Sequence, residues 1–440
     1  MNSLNRTHDP GARSWVAAAN EPLCDFPIQN LPYGVFRTSS QEPFHAGVAI
    51  GDSVLDLGRL HASGLLDGLA LQAASACLDA TLNRFMAMGA PAWQALRHAA
   101  FDLLNANAAP ETVDAARKCL VLQTAVEHAV PVAIGDYTDY FTSIHHAING
   151  GLLLDPAYKL ARAFQWLPMA YHGRASSIGM TGHQFPRPHG QVLDETTGTP
   201  VYRPTRRLDF ELELGVFVGR ENALGEPVGI TEAEDSVFGI CLLNDWSARD
   251  IQAWEMTPLG PFQAKNFAST LSPWIVTLEA LAPFRSAVER VLDGPAVLPY
   301  LDSPANRERG AFDIRLKVSV ETAAMRASGS DPRVLCTTNF AHQYWTVAQM
   351  LTHHTAGGCN LRVGDLLGTG TISDPQPENA GSLIELSQAG RKPLDLGNGE
   401  ERSFVEDGDK IILQGWCERG DFRRIGFGSN FATVTPARQI

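Results

Sequence analysis

Three acidic residues, Asp209, Glu211 and Glu213, alternate with apolar residues in the segment 208–215. Alternate side chains of an extended strand share a face, so this spacing predicts that the three carboxylates line one face. Neighbouring carboxylates raise each other's pKa, and burial adds to the cost of ionising them. A divalent cation held by oxygen ligands would compensate the charges, whereas a solvated edge strand would leave them in water. The pattern alone leaves both interpretations open.

A second polar group follows the apolar run that ends near Asn244. Asp245, Arg249 and Gln252 come within eight residues of one another, and Lys265 follows. A strand end that presents a carboxylate, a guanidinium and an amide gives a site a rigid base. Helix capping by Asp245 and a surface ion pair of Arg249 are the alternatives.

A third segment, 135–146, contains Asp139 and His146 seven positions apart. If this segment is helical, both side chains project from one face, two turns apart. Taken alone, this spacing does not identify a site.

The composition limits what the whole chain can do. It has 440 residues, of which 44% are hydrophobic, so we expect two or three domains with large cores. The formal charge of -13 opposes binding to nucleic acid and to anionic membranes. No apolar stretch has membrane-spanning length, and no secretory signal is visible, so the sequence predicts a cytoplasmic protein. Seven scattered cysteines predict free thiols rather than a zinc or redox site.

The elements that must position these residues divide into two regions. Residues 1–126 combine a β-hairpin around Gly51 with Ala- and Leu-rich helices, one of which starts near Pro91. Residues 127–440 predict a helix after Asn339, an irregular loop over 187–205, and short strands over 212–218, 237–243, 274–278, 314–320, 382–386 and 410–415. Frequent strands without regular helical crossovers indicate an α+β, mainly β fold with a rolled or closed sheet.

Ordered motifs extend over nearly the whole chain, from about residue 31 to residue 428. They lie at 135–139, 171–177, 208–213, 244–252, 258–262, 351–355 and 364–372. Together they resemble the fumarylacetoacetate hydrolase family. The resemblance implies an SH3-like barrel in residues 1–126, a mixed β-roll in residues 127–440 and a homodimer. It also implies metal-dependent hydrolysis of fumarylacetoacetate to fumarate and acetoacetate, in tyrosine and phenylalanine catabolism.

The same resemblance implies a role for individual residues. Those implied to bind Ca²⁺ or Mg²⁺ are Asp139, Glu211, Glu213 and Asp245, which leaves Asp209 a supporting or surface role. His146 is implied to activate water, oriented by Glu385, with Arg249, Gln252 and Lys265 as donors around the oxyanion. The implied substrate contacts are Phe141, Tyr171, Arg249, Gln252, Met256 and Thr371.

The chain departs from the family pattern around the substrate. Phe141 and Met256 stand where the family has tyrosines, and Asp155 stands nearest the position of an arginine that grips a substrate carboxylate. Loss of a bidentate clamp is a substantial change, although Lys159 or Arg162 could substitute for it. Ala268 and Ser269 replace the usual Gly and Thr beside the metal, which bears on ion choice.

Three functional hypotheses follow. The first is hydrolysis of fumarylacetoacetate, and the second is hydrolysis or decarboxylation of a related acylpyruvate or β-diketo acid. The third is a non-catalytic paralogue that binds dicarboxylates. Retention of His146 and Glu385 favours the two enzymatic hypotheses.

Overall fold

The computed structural model describes residues 3–154, 157–194, 196–290 and 294–439, and it is a mixed α/β fold. Asp155, which the sequence aligns nearest the family's arginine clamp, lies outside the described residues.

The N-terminal region combines an antiparallel sheet with helices packed on it. Its strands are β1 (Tyr33–Arg37), β2 (His45–Ile50), β3 (Ser53–Asp56), β4 (Leu120–Leu122) and β5 (Glu127–His128). Its helices are α1 (Leu57–Ala62), α2 (Gly68–Ala76), α3 (Asn83–Met86), α4 (Ala90–Leu104) and α5 (Pro110–Arg117). The hairpin predicted around Gly51 joins β2 to β3, and Gly51 has a φ of 57°, which favours glycine. Pro91 lies in the first turn of α4, as predicted.

The N-terminal sheet has the order β4-β3-β2-β1-β5. This path does not pair β4 with β5 among the described residues, so the SH3-like barrel stays a prediction. The core of this region continues across the next one, because Tyr33 and Phe85 contact Phe238 of the second region.

The second region is built on two larger sheets. Its strands are β6 (Tyr137–Phe141), β7 (Met169–His172), β8 (Ile178–Met180), β9 (His183–Pro186), β10 (His189–Leu193), β11 (Pro200–Pro204), β12 (Leu208–Asp209), β13 (Leu212–Val218), β14 (Val237–Asp245), β15 (Ser247–Ala248), β16 (Ser269–Leu271), β17 (Val276–Thr277), β18 (Arg285–Ser286), β19 (Ala311–Phe312), β20 (Arg315–Glu321), β21 (Arg333–Asn339), β22 (Leu366–Gly368), β23 (Leu394–Asp395), β24 (Glu401–Arg402), β25 (Lys410–Cys417) and β26 (Ile425–Thr435). Its helices are α6 (Ile144–Leu154), α7 (Arg249–Glu255), α8 (Pro304–Arg309), α9 (Ala323–Ser328), α10 (Val347–Thr355) and α11 (Leu383–Leu386).

Two strand orders describe these sheets. One sheet runs β7-β6-β22-β13-β14-β16-β8, with β17 paired to β14, and the other runs β21-β20-β25-β26-β9. The first sheet carries the acidic residues, and β22 and β6 pair in parallel within it. The sheets pack together through a large apolar core to which Leu242, Leu316 and Phe427 contribute.

Several predicted elements were wrong. Segment 382–386 forms helix α11 instead of a strand, because a short apolar run has no periodicity that separates the two. Asn339 caps a 3₁₀ turn, and the helix begins instead after Thr346, whose side chain accepts a bond from Gln349 N. The loop 187–205 contains the hairpin of β10 and β11.

Asp139 and His146 do not share one helix, since β6 carries Asp139 and α6 carries His146.

The seven cysteines are free, although Cys359 is exposed and Cys24 is only partly buried. Within the described ranges, no helix combines the length and the hydrophobicity needed to cross a bilayer.

Candidate active site

Four carboxylates meet at one end of adjacent strands. Asp139 comes from β6, Glu213 from β13 and Asp245 from the end of β14, while Glu211 directly precedes β13. One oxygen of each residue lies within 4.8 Å of an oxygen of every other. β22 runs between β6 and β13, where Gly368 pairs with Asp139 on one side and Gly215 on the other. The sheet therefore gathers acidic groups from distant parts of the chain into one cluster.

The segment that carries the alternating acids is buried on both faces. Asp209, Glu211 and Glu213 are 0%, 5% and 0% exposed, and the apolar residues between them are fully buried. The solvated edge strand, one of the two alternatives left open by the sequence, is therefore wrong. Asp209 does not belong to the four-carboxylate cluster and is not a surface residue.

Burial and mutual repulsion make part of the cluster hard to ionise. Burial, followed by the charge of Asp245, raises the pKa of Asp139 to about 8. Burial and the charges of Asp139 and Glu211 raise the pKa of Glu213 well above its ordinary value. Burial also opposes ionisation of Glu211, but Lys265 and Arg249 outweigh it and hold that pKa low. The cluster lacks positive charge around Asp139 and Glu213.

The donor set fits a divalent cation that prefers oxygen. Among the described residues, Asp139 Oδ1 and Glu213 Oε1 are buried without a hydrogen-bond partner. Gly368 leaves room beside them, because a Cβ there would lie 2.8 Å from Asp139 Oδ1 and 3.1 Å from Glu213 Oε2. Carboxylates are the ligands that Ca²⁺ and Mg²⁺ prefer. These four carboxylates could therefore hold such an ion.

Two cations border the cluster on the side of α7. Lys265 Nζ donates to Glu211 Oε2 and, at 3.0 Å, to Asp245 Oδ2. Arg249 Nη1 donates to Glu211 Oε1 at 2.7 Å and to Gln252 Oε1 at 3.0 Å. Arg249 Nη2 is buried and has no partner among the described residues. An unused guanidinium nitrogen at this position is a donor available to a ligand.

His146 and Glu385 form a buried pair next to the cluster. His146 Nδ1 and Glu385 Oε2 are 2.6 Å apart. Burial opposes ionisation of Glu385, but His146 and the hydrogen bonds from Ser382 and Asn149 outweigh it and hold the pKa of Glu385 below its ordinary value. An ionised carboxylate can only accept, so Nδ1 carries the proton and Nε2 of the neutral ring keeps its lone pair.

The residues that hold Glu385 were missed by sequence reasoning. Ser382 and Ser373 donate to Glu385 Oε2 at 2.7 and 3.0 Å, and Asn149 donates to Oε1 at 3.2 Å. A signal was present for Ser382, which stands three residues before Glu385 in the spacing of a capping box. In the structure its hydroxyl bonds the carboxylate instead of a backbone N–H of the helix. No comparable signal marked Ser373.

The predicted substrate contacts occupy different environments. The ring of Phe141 meets the His146 ring edge-on, 5.5 Å between centroids. Tyr171 donates its hydroxyl to Asp245 Oδ2 at 3.0 Å, and buried Thr371 Oγ1 has no partner in the described part of the chain. Met256 follows α7 and is 44% exposed. Three of these four are therefore buried or close to the charged groups, and Met256 faces solvent.

A buried acidic cluster beside a histidine–carboxylate pair is the arrangement of a hydrolase with a metal centre. The family model described as "Fumarylacetoacetate (FAA) hydrolase C-terminal" matches residues 143–434, and "Fumarylacetoacetase N-terminal" matches residues 29–131. The chain belongs to the fumarylacetoacetate hydrolase family.

Two relatives of high identity agree with this membership. The chain is 47% identical to a fumarylacetoacetase of Arabidopsis thaliana, over 94% of this chain and 96% of that protein. It is 46% identical to a human fumarylacetoacetase, over 94% of this chain and 97% of that protein. A solved fumarylacetoacetate hydrolase from Exiguobacterium antarcticum is 17% identical, covers 93% of this chain and 100% of its own, and gives a TM-score of 0.48.

Proposed function

We propose that this protein hydrolyses the carbon–carbon bond of fumarylacetoacetate and releases fumarate and acetoacetate. The observation that carries the proposal is the 2.6 Å pair of His146 and Glu385 beside a buried four-carboxylate cluster. The identities of 46–47% to fumarylacetoacetases over 94% of the chain support the same substrate.

Asp139, Glu211, Glu213 and Asp245 would hold Ca²⁺ or Mg²⁺. When bound, the ion supplies a Lewis acid and a template that orients the keto oxygens of the β-diketone. The carboxylates then no longer repel one another, and their ionised state becomes the favoured one.

His146 acts as the base. Glu385 accepts the hydrogen bond from Nδ1–H and fixes the tautomer. Nε2 therefore takes a proton from water as the water oxygen bonds the ketone carbon of the fumaryl group. The bond from this carbon to the acetoacetate CH₂ then breaks and leaves its electron pair on that CH₂. The His146 imidazolium gives its proton to that CH₂, which becomes the methyl group of acetoacetate, so one water is consumed and the two acids are formed.

Arg249, Lys265 and Gln252 stabilise the negative oxygen that develops on the attacked carbon. Arg249 is held by two carboxylates, which aim its free Nη2 while keeping the guanidinium still. A fixed donor of this kind typically contributes about 10²-fold or more to the rate. Tyr171, Thr371, Phe141 and Met256 would line the rest of the substrate site.

A second candidate is hydrolysis of a related acylpyruvate. Phe141 favours it, because its ring packs against His146 and brings no hydroxyl to the site. A shorter, less polar substrate needs fewer polar contacts at this position.

The two candidates are separated by following the ultraviolet absorbance of the enol-diketone of each substrate. We expect a higher kcat/KM for fumarylacetoacetate than for a shorter acylpyruvate, and we expect a chelator to stop both reactions. A reversed preference would favour the second candidate. Phe141→Tyr is the informative variant, because a gain for fumarylacetoacetate alone would assign the phenyl ring to substrate choice.

We infer a homodimer from the exposed apolar side chains at the end of α7 and just after it. Trp254, Met256, Leu259 and Phe262 are 42–95% exposed within nine residues, which is more apolar surface than isolated exposed residues explain. Light scattering after gel filtration should give twice the chain mass. Replacing Leu259 and Phe262 by Ser should yield monomers, while Leu224→Ser, at another exposed leucine, should not. Monomers in the parent protein would refute the dimer.

The domain boundary after residue 126, the SH3-like barrel before it, the β-roll after it and a cytoplasmic location are part of the same proposal. The N- and C-terminal family models, which match residues 29–131 and 143–434, support two regions.

A further inference from the structure

Asp209 is a fully buried carboxylate with three strong hydrogen bonds. Its Oδ2 accepts from Arg249 Nε and from Ile384 N, each at 2.9 Å, and its Oδ1 accepts from Leu383 N at 2.7 Å. These bonds connect residues about 40 and 175 positions away along the chain. Asp209 is outside the group of carboxylates that could share an ion.

The partners of Asp209 belong to two different parts of the proposed machinery. Arg249 is the donor whose Nη2 is free, and its Nη1 also binds Glu211 and Gln252. Leu383 and Ile384 form the first turn of α11, the helix that carries Glu385. Glu385 in turn holds His146. Asp209 therefore bonds directly to both the oxyanion donor and the support of the base.

The N-cap residue of α11 does not accept the N–H bonds that Asp209 accepts. Ser382 precedes the helix, but its hydroxyl binds Glu385 and caps no N–H group of the helix. The N–H groups of the first turn of a helix have no partner inside it. Without Asp209, two such groups and the buried Nε of Arg249 would lose their acceptor. Buried unpaired groups move to find another acceptor.

We propose that Asp209 is a positioning residue, which holds Arg249 and α11 in the single geometry that lets the oxyanion donor and the His146–Glu385 base act on the same carbonyl. The inference rests on the proposed function and deepens it. A shift of about 1 Å in such a site can cost roughly 10²-fold in rate.

Asp209→Asn tests the proposal, because the amide keeps one acceptor oxygen and places an NH₂ donor against another donor. We expect kcat on fumarylacetoacetate to fall about 10²-fold, with KM and the affinity for Ca²⁺ nearly unchanged. Glu234→Gln is the matched control. Glu234 forms a buried ion pair with Arg285, with an N–O distance of 2.7 Å, and this pair lies outside the site. This variant should lower the melting temperature without lowering kcat.

Asp209→Glu keeps the charge and displaces the carboxylate by one methylene, so it serves if the amide variant does not fold. We expect kcat to fall again, with retained Ca²⁺ affinity. In a Glu385→Gln background, Asp209→Asn should lower kcat much less than it does in the parent protein, because both changes disturb the same base. Parent-like kcat in both Asp209 variants, or fully additive losses, would overturn the proposal.

A substrate-free measurement separates this proposal from the proposed function. In protein labelled with ¹⁵N-histidine, the His146 Nδ1 proton should resonate far downfield, because it lies in a short bond to a carboxylate. Asp209→Asn should shift or broaden this signal, and Glu234→Gln should not. An unchanged signal would refute the positioning role, whereas failure of the parent protein to hydrolyse fumarylacetoacetate would refute only the proposed function.

Discussion

Two groups of buried carboxylates in this molecule are paired differently. In the first, Glu234 accepts a hydrogen bond on each of its oxygens, from Arg285 Nη1 at 2.8 Å and from Arg285 Nη2 at 2.7 Å. In the second, the acidic cluster, Asp139 and Glu213 each keep an oxygen without a partner in the described residues. There, two cations, Arg249 and Lys265, border four clustered carboxylates.

The difference separates buried charge that stabilises from buried charge that serves chemistry. A bidentate ion pair satisfies both partners and fixes one geometry. A cluster with excess negative charge is costly unless a cation joins it, so its survival indicates a ligand. The Arg285 guanidinium of the first pair also stacks on the Phe312 ring, 4.4 Å from the ring centroid. The five predictions below would sharpen or break this comparison.

Removal of the divalent ion should have the largest effect. We expect a chelator to reduce turnover to background and Ca²⁺ or Mg²⁺ to restore it. The pKa of Asp139, about 8 in the fold against 3.8 ordinarily, is raised. An acid whose pKa is higher in the folded state than in the unfolded state favours folding at low pH. This contribution to stability is lost as pH rises from about 4 to 8.

Stability curves check this sign directly. The melting temperature of the metal-free protein should therefore fall between pH 4 and pH 8 more steeply than that of the metal-loaded protein. Asp139→Asn should flatten the metal-free curve, and Asp407→Asn, at a partly exposed carboxylate outside the cluster, should leave it unchanged. Identical curves with and without metal would contradict a cation site.

His146→Ala should lower kcat by roughly 10²- to 10⁴-fold, the usual contribution of a general base. Ca²⁺ affinity should change little, because His146 is not among the clustered carboxylates. His145→Gln is the adjacent control and should keep its activity. Steady-state kinetics on fumarylacetoacetate measures both, and undiminished turnover in His146→Ala would remove this residue from the mechanism.

Gly368→Ala should weaken ion binding by about 10- to 100-fold, as changes beside metal ligands commonly do. The new methyl group would meet Asp139 and Glu213 at 2.8 and 3.1 Å. Titration calorimetry with Ca²⁺ measures the effect. Gly357→Ala is the control, since a Cβ there meets nothing within 4 Å. Equal affinities in the two variants would place the ion elsewhere.

Ser382→Ala should have the smallest effect, a loss in kcat of about tenfold. A hydrogen bond to a charged group is worth roughly 1.5–3 kcal/mol, and Glu385 keeps its other donors, Ser373 and Asn149. Ser387→Ala, at the other end of α11, should leave kcat unchanged. Equal kcat values in the two serine variants would show that Glu385 does not depend on Ser382.

Local sequence pattern determined much of the second region. Alternation in 208–215 predicts one strand, but the structure divides this segment into β12 and β13, with a break at residues 210–211. β13, β14, β20 and β25 lie where their apolar runs predict them. These features depend on residues close together in the sequence, so one stretch of chain is enough to predict them. The motifs likewise sufficed to predict the family, which the comparisons confirmed.

The tertiary structure alone decided which acids meet and which serve as supports. Alternation gives Asp209 the same pattern as Glu211 and Glu213, yet only the fold assigns Asp209 to Arg249 and α11. His146 and Glu385 are 239 residues apart, and no local spacing encodes their 2.6 Å contact. Segment 382–386 became a helix because packing and long-range hydrogen bonds, rather than propensity, select among the structures open to a short apolar run.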